Sequence, residues 1–391
     1  MNSNIRLLSW FNFFTDFKFY APIAILYFAQ VSGSFALGMG IFSIVTISSA
    51  FLEIPTGIFS DKIGRHKTII LGGLAAVISS VFYAIGGSFL ILAIGSFFLG
   101  LCTAFYSGNN DALLYDTLSE KNEQHKFGEF YGKISKMSQI ALGISAAIGA
   151  ILLIKGSFSV LVWLSVIPQV FCLLISFWFK EPTVNSRKSG NIYAHLKEAF
   201  FGFMHNPKLR LLSLSSILGY GFGEVSYQFQ SAIYNLVWPA WAIPIAKIFS
   251  NIGATISFHF SGKTIKKFGE LKMLLAGSIY GRIITTIAVI YPTVLTPVLM
   301  SSTSLLFGST VVAKNSLMQK EFRQEQRATM GSLDSFVGSL FFGLVAFCLG
   351  LLADELSPIM ALLILQVFQL SILVVYIKLF KYHRNQPQPL P

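Results

Sequence analysis

The chain has 391 residues, of which 54% are hydrophobic and 12% charged. A water-soluble domain carries about 25% charged residues, so half that share over this length excludes a soluble enzyme and points to a polytopic membrane protein. The net charge of +12 reflects where the Lys and Arg lie rather than a nucleic-acid partner.

A spanning helix needs about 20 apolar residues. Apolar stretches set off by short polar ones predict spans at 7–31, 36–59, 68–88, 90–118, 128–154, 158–179, 208–234, 241–261, 271–290, 293–318, 329–353 and 357–379. Twelve spans return both termini to one side. Of the Lys and Arg in the loops, all but Lys155 fall on that side, and the positive-inside rule makes it the cytoplasmic one. The first apolar run has no small-residue cleavage site and continues at full span length, so no cleavable signal peptide is expected.

The polar stretch "EPTVNSRKSGN" predicts a division into an N-terminal six-helix bundle (1–180), a cytoplasmic linker (181–207) and a C-terminal bundle with a short tail (208–391). Within the linker, Ile192, Leu196, Ala199, Phe200 and Phe203 recur at helical spacing and predict an amphipathic helix on the membrane surface. Cys102, Cys172 and Cys348 fall in spans without a CxxC spacing and read as small packing residues. No metal-ligand cluster, Walker loop or Gly-x-Ser-x-Gly is found, so no enzyme activity, cofactor or resident metal is expected.

The two halves repeat. "GIFSDKIGRHKTIIL" after span 2 matches "GKTIKKFGELKMLL" after span 8: Gly57 aligns with Gly262, Lys62 with Lys267 and Gly64 with Gly269, at an offset of 205. "ALLYDTL" and "SLMQKEF", at the ends of spans 4 and 10, align at 204. Parallel repeats of this kind suit a transporter with its substrate site near the midplane.

The stretch from Gly57 through Asp61, Lys62, Gly64 and Arg65 to Lys67 resembles the signature loop of the major facilitator superfamily. That resemblance implies an all-α membrane fold of twelve spans in two six-helix bundles. It implies that Gly57, Asp61, Gly64 and Arg65 form a cytoplasmic gate, with Gly57 and Gly64 allowing close approach and a tight turn. Asp61 would lean on the start of span 11, and Arg65 would pair with an acid ending span 4, here Asp116. The second copy departs from the pattern, with Lys266 where Asp61 stands and Glu270 where Arg65 is expected. "FLEIPTG" and "SGNNDALLYD" are similar to a bacterial subgroup that includes drug exporters, whereas span 5 lacks the Gly-Pro pair common in drug–proton antiporters.

The spans hold the acids Asp16, Glu53, Asp111, Asp116, Glu224 and Asp334 and the bases Lys18, Lys133, Lys136, Lys247, Arg282 and Lys314. Unpaired charge is expensive in lipid, so internal pairing is expected. Arg282 should face a partner, and Asp334 a base near the cytoplasmic face. Asp16 lies about 14 Å into span 1, near the bilayer centre, and Glu224 somewhat past the centre of span 7. Spans 1, 4, 7 and 10 line the cavity in the family, so Asp16 or Glu224 is the candidate proton carrier. On a continuous helix Asp16 and Lys18 stand about 200° apart, which leaves Lys18 to an acid from another span. Further candidates for the substrate path are Tyr20 in span 1, Tyr106, Asn109, Asn110 and Asp111 in span 4, and Tyr220, Tyr227 and Gln228 in span 7. Rings and amides together suit an amphipathic organic solute.

The expected function is secondary transport by alternating access in the cell membrane, by a monomer that takes a small molecule and couples to protons. Export of a drug or amphipathic metabolite is the first reading. The alternatives are uptake of an organic nutrient or metal-chelate, and a sensor that transports nothing.

Overall fold

The computed structural model describes residues 3–182, 206–321 and 327–384, except the side chains of 61, 327–330, 383 and 384. The linker helix expected at 192–203 and the contact expected of the Asp61 side chain lie outside that description. Every regular element among the described residues is helical. The long helices are α1 (Ser3–Asp16), α2 (Ala24–Ser32), α3 (Phe35–Ile63), α4 (Arg65–Ile85), α5 (Phe89–Tyr106), α6 (Asn109–Ser119), α7 (Phe127–Lys155) and α8 (Phe158–Ser176). After them come α9 (Pro207–Tyr234), α10 (Ile243–Phe268), α11 (Glu270–Ile290), α12 (Thr296–Ser302), α13 (Ser304–Glu321), α14 (Arg327–Glu355) and α15 (Pro358–Arg384).

Nine described helical stretches are long and apolar enough to cross a membrane: Phe35–Ser60, Arg65–Ile85, Phe89–Ser119, Gln124–Lys155, Phe158–Ser176, Glu270–Ile290, Thr296–Glu321, Gly331–Glu355 and Pro358–Tyr382. Three expected spans are not among the nine. Span 1 is divided between α1 and α2. Spans 7 and 8 are single helices, α9 and α10, rich in Ser and Gly and in Lys respectively.

The chain forms two compact units: Met1–Lys188 with Pro239–Ile245, and Ser189–Trp238 with Ala246–Pro391. In the first, α5 packs on α3 and α4, α4 on α8, and α1 on α7 and α8. Ile5, Leu8, Phe11, Ile69, Leu113, Leu114, Ile134 and Cys172 form one buried cluster there. Burying a Leu, Ile or Phe is worth about 1.5–3 kcal/mol against water; at lipid depth the gain comes from close packing instead. Asn4, buried, ties the start of α1 to this core: Nδ2 donates to Thr117 Oγ1 (3.1 Å) and to the Lys180 carbonyl (2.9 Å), and the Lys180 amide donates back to Oδ1 (3.0 Å). In the second unit α9 packs on α14 and α15, and α11 on α13 and α15.

Three expected spans are broken: span 1 after Asp16, span 4 at Ser107–Gly108 and span 10 at Thr303. The first break overturns the continuous helix over 7–31 and with it the 200° separation of Asp16 from Lys18. Pro22 enters the 3-10 turn Ala21–Ile23 at its first positions; a proline has no N–H to give a helix and disfavours helix in the residue before it. The groups that the break frees are taken up by α8. Gln169 Nε2 donates to the carbonyls of Phe14 (3.1 Å) and Thr15 (3.4 Å), and the Phe19 amide donates to Ser165 Oγ (3.0 Å). Opposite, Gly149 leaves room: a Cβ there would stand 2.8 Å from the Phe19 carbonyl oxygen.

Gln169 is 2% exposed. Gln169→Leu should therefore destabilise the protein by about 1–3 kcal/mol, because it strands the Thr15 carbonyl and leaves the Phe14 carbonyl only the Phe17 amide. The check is a lowered unfolding midpoint in detergent, with Gln169→Glu, an acceptor set against the same carbonyls, at least as destabilising near neutral pH.

Candidate functional site

Two groups of polar side chains are built from the residues singled out above, one at the helix ends near the signature loop and one deeper in the second unit. At the first, Gly64 has φ +95° and ψ 157°, a conformation strained for any residue with a Cβ. The turn lets α3 end and α4 begin within one residue. The opening amides of α4 then meet the Glu181 carboxylate: Arg65 N and His66 N each donate to one of its oxygens at 2.7 Å. A carboxylate at a helix N-terminus satisfies free N–H groups and the positive end of the dipole together. Arg65 Nε lies 3.8 Å from Asp116 Oδ2, and Nη1 donates to Ser60 Oγ (3.4 Å). Ser60 Oγ in turn donates to Asn109 Oδ1 (2.7 Å), while Asn109 Nδ2 donates to the Arg65 carbonyl (3.2 Å). Asn109, expected on the substrate path, is thus buried in the tie that joins α3, α4 and α6.

Gly57 departs from its expected role. It is exposed, and no described residue stands within 4 Å of where its Cβ would be, so it mediates no close approach there.

The second unit repeats the turn with its charges exchanged. Gly269 has φ +84° and ψ 153°. The next residue is Glu270, whose Oε1 pairs with Lys320 Nζ and accepts from Ser316 Oγ at 3.2 Å. Positions 65 and 270 differ by 205 and positions 116 and 320 by 204. Base–acid in the first unit is therefore acid–base in the second. Beside it, Lys208 pairs with Glu321 at 2.8 Å. Deeper, Asp334 on α14 accepts from Ser213 Oγ, and Lys314 on α13 donates to Ser216 Oγ (3.3 Å), so one turn of α9 holds an acid and a base together.

Of the span 1 candidates, Asp16 ends α1 and is half-buried with Lys18. Among the described residues no carboxylate pairs with Lys18, against expectation. Tyr20 is 6% exposed and packs edge-on to Tyr83 and Phe28, a core residue of its unit. Tyr106 packs on Phe11 (5.0 Å between centroids), its hydroxyl 3.9 Å from Cys172 Sγ. Asn110 is half-buried, and Asp111 is exposed in the first turn of α6. Cys102 and Cys172 are buried as expected, whereas Cys348 is exposed. Arg282 interacts electrostatically with Tyr376, while its Nε and Nη1 are buried without a hydrogen bond among the described residues.

The span 7 candidates come together on α9. Gln228 Nε2 donates to Glu224 Oε1 (2.7 Å). Tyr220 and Tyr227 are 42% and 37% exposed beside them. Lys247, on α10, was counted among the bases within the spans but not placed at this site. It is 6% exposed, and its Nζ donates to the Tyr227 carbonyl (2.8 Å) and Gln230 Oε1 (3.3 Å). Lys247 and Glu224 interact electrostatically. Glu181 was missed; the only sequence signal was an acid placed just after an apolar span.

The two signature glycines give a contrasting prediction. Gly64→Ala forces a left-handed backbone and brings a methyl to 3.0 Å from the Glu181 carboxyl, and should cost about 1–3 kcal/mol. Gly57→Ala, inside α3 with open space beside it, should be neutral or stabilise by up to about 1 kcal/mol. Unfolding midpoints of the two variants in one detergent check the ordering.

Comparison with known proteins places this geometry. The chain is 27% identical over 182 residues to a "Na(+), Li(+), K(+)/H(+) antiporter" of Planococcus maritimus, covering 45% of this chain and 42% of that one. It is 28% identical over 209 residues to an uncharacterized transporter of Buchnera aphidicola, again covering about half of each, 51% and 50%. An uncharacterized transporter of Methanocaldococcus jannaschii matches at 23% over 363 residues, 88% of this chain and 91% of that one. Among solved structures, the nucleoside transporter NupG superposes with a TM-score of 0.81 at 14% identity over 98% of this chain and 100% of that one. A D-xylose-proton symporter does so with 0.78 at 12% identity over 97% of each. These identities establish a shared fold only. Residues 7–347 match the family described as Major Facilitator Superfamily, and the chain belongs to that superfamily of membrane transporters.

Proposed function

We propose that the protein is a proton-coupled antiporter of the cell membrane, with both termini cytoplasmic, which exports a small amphipathic solute by alternating access. The observation that carries this reading is the half-buried Glu224 on α9, hydrogen-bonded to Gln228 and acting electrostatically on an enclosed Lys247. A carboxylate at this depth is expensive to keep ionised. It has no place in the ties at the helix ends, and a group that trades its charge for a proton suits coupling. Tyr220 and Tyr227, both exposed beside it, offer ring faces to an amphipathic solute. Exchange rather than co-transport is favoured by the name of the Planococcus maritimus relative, an antiporter with protons. The tie of Arg65 to Asp116 would hold one conformation of the signature loop, with Asp16 as the second candidate for the proton.

The test is flux driven by an imposed pH gradient in inverted vesicles, using a panel of fluorescent dyes. Glu224→Gln should abolish gradient-driven flux while leaving the amount of protein in the membrane unchanged. Full flux in both Glu224→Gln and Asp16→Asn overturns the proposal. Higher cellular dye content with the gene than without it would favour uptake over export.

A further inference from the structure

Lys247 occupies a cage that a different helix builds. Among the described residues, the groups in contact with its ammonium belong to α9: the Tyr227 carbonyl at 2.8 Å, Gln230 Oε1 at 3.3 Å, and the Tyr227 ring, whose centroid lies 3.6 Å from Nζ. The Tyr234 ring is farther, at 5.9 Å, and its hydroxyl donates to Gln230 Oε1 (3.2 Å), which turns that oxygen into a shared acceptor. Glu224, one turn back along α9, supplies the negative charge. The cation alone comes from α10.

This ligand set is not specific to lysine. Carbonyl and amide oxygens are hard dipoles that replace water around an alkali ion, and aromatic faces attract an organic ammonium. The Glu224 carboxylate, which acts on this cation electrostatically, balances either. Tyr227 is 37% exposed, so the cage has an open side.

We infer that the cage on α9 is a binding site for one monovalent cation, an organic ammonium or an alkali ion, and that Lys247 is its tethered competitor. The inference rests on the coupled-transport reading above, but it assigns the exchanged proton to Lys247, with Glu224 as the fixed counter-charge, and adds the charge of the solute. Two cations cannot share one carboxylate in an enclosed site, because their repulsion is poorly screened away from water. The enclosed Lys247 makes no other hydrogen bond among the described residues, and Glu224 is the charged group that acts on it. From α12, Ser301 faces the same stretch, but its hydroxyl is engaged with the Ala246 and Pro297 carbonyls. A bound cation therefore displaces the proton of Lys247. The N–H bond breaks, the electron pair stays on Nζ, the proton passes to water, and the cage keeps a single positive charge throughout. Exchange of one cation for one proton moves no net charge across the membrane.

The full chain, purified in detergent, is titrated by calorimetry with K+, Na+ and tetraethylammonium, with a pH-sensitive dye reporting proton release. The expected result is that at least one probe binds and releases one proton per cation. A response to the alkali ions alone assigns an inorganic cation, and one to tetraethylammonium alone an organic one. Lys247→Met should bind the same probe as tightly or more so, with no proton release. Tyr227→Leu should weaken binding roughly tenfold, whereas Tyr227→Phe keeps it. No binding of any probe to the native protein overturns the inference, as does undiminished proton release in Lys247→Met or native affinity in Tyr227→Leu. The Tyr227 pair decides the matter if Lys247→Met fails to fold. Dye flux driven by a pH gradient without cation binding overturns the cage and leaves coupled transport standing. Cation binding with proton release but no flux in vesicles does the reverse.

Discussion

Lipid offers nothing to hydrogen-bond a backbone amide, so each helix break at membrane depth has to be repaired by side chains. The break after Asp16 is the clearest case. Its freed carbonyls and amide would cost several kcal/mol if left bare, and Gln169 and Ser165 on α8 answer them. The requirement fixes the rotation of α8 against α1 and needs a residue without a side chain at Gly149. Asp16 and Lys18 are consequently not neighbours around one helix. One ends α1, and the other belongs to the connector that follows.

The charges sort by the same logic. Those near the helix ends are tied in pairs or caps: Arg65 to Asp116, the α4 amides to Glu181, Glu270 to Lys320, Lys208 to Glu321. Solvent-reached pairs of this sort contribute little to stability, and these are half-buried or partly exposed, so their use is to set geometry. The deeper charges are few, and they are held by neutral dipoles: Asp334 and Lys314 by serines, Lys247 by a carbonyl, an amide and a ring. The opposite charges act from behind those dipoles, Glu224 on Lys247 and Lys314 on Asp334.

The helical membrane fold and its repeat were legible in the sequence because lipid imposes long apolar runs, and the signature loop carries its own motif. The charge exchange at Glu270 could be read as well, from the offset alone. The break in span 1 was masked by the density of Phe13, Phe14, Phe17 and Phe19 around Asp16 and Lys18, although Pro22 held the signal. Asn109 and Tyr20 were placed on the substrate path by type and depth, yet which way a side chain faces depends on where a helix is interrupted. The place of Lys247 escaped for another reason. Its cage joins Tyr227 and Gln230 to a residue on the next helix, across the turn at 235–242, and hairpin register is not visible in composition.

The exchanged polarity of the two ties bears on how a duplicated unit drifts. A surface pair worth less than about 1 kcal/mol can lose one charge, or pass through two like charges, without unfolding the chain, and so can re-form with the signs reversed. The turn beneath it has no such latitude. Gly64 and Gly269 share nearly the same backbone angles, and no intermediate residue can stand in for glycine there without strain. In a molecule of this kind the bend is what is inherited, while the sign of the charge above it is left to each copy.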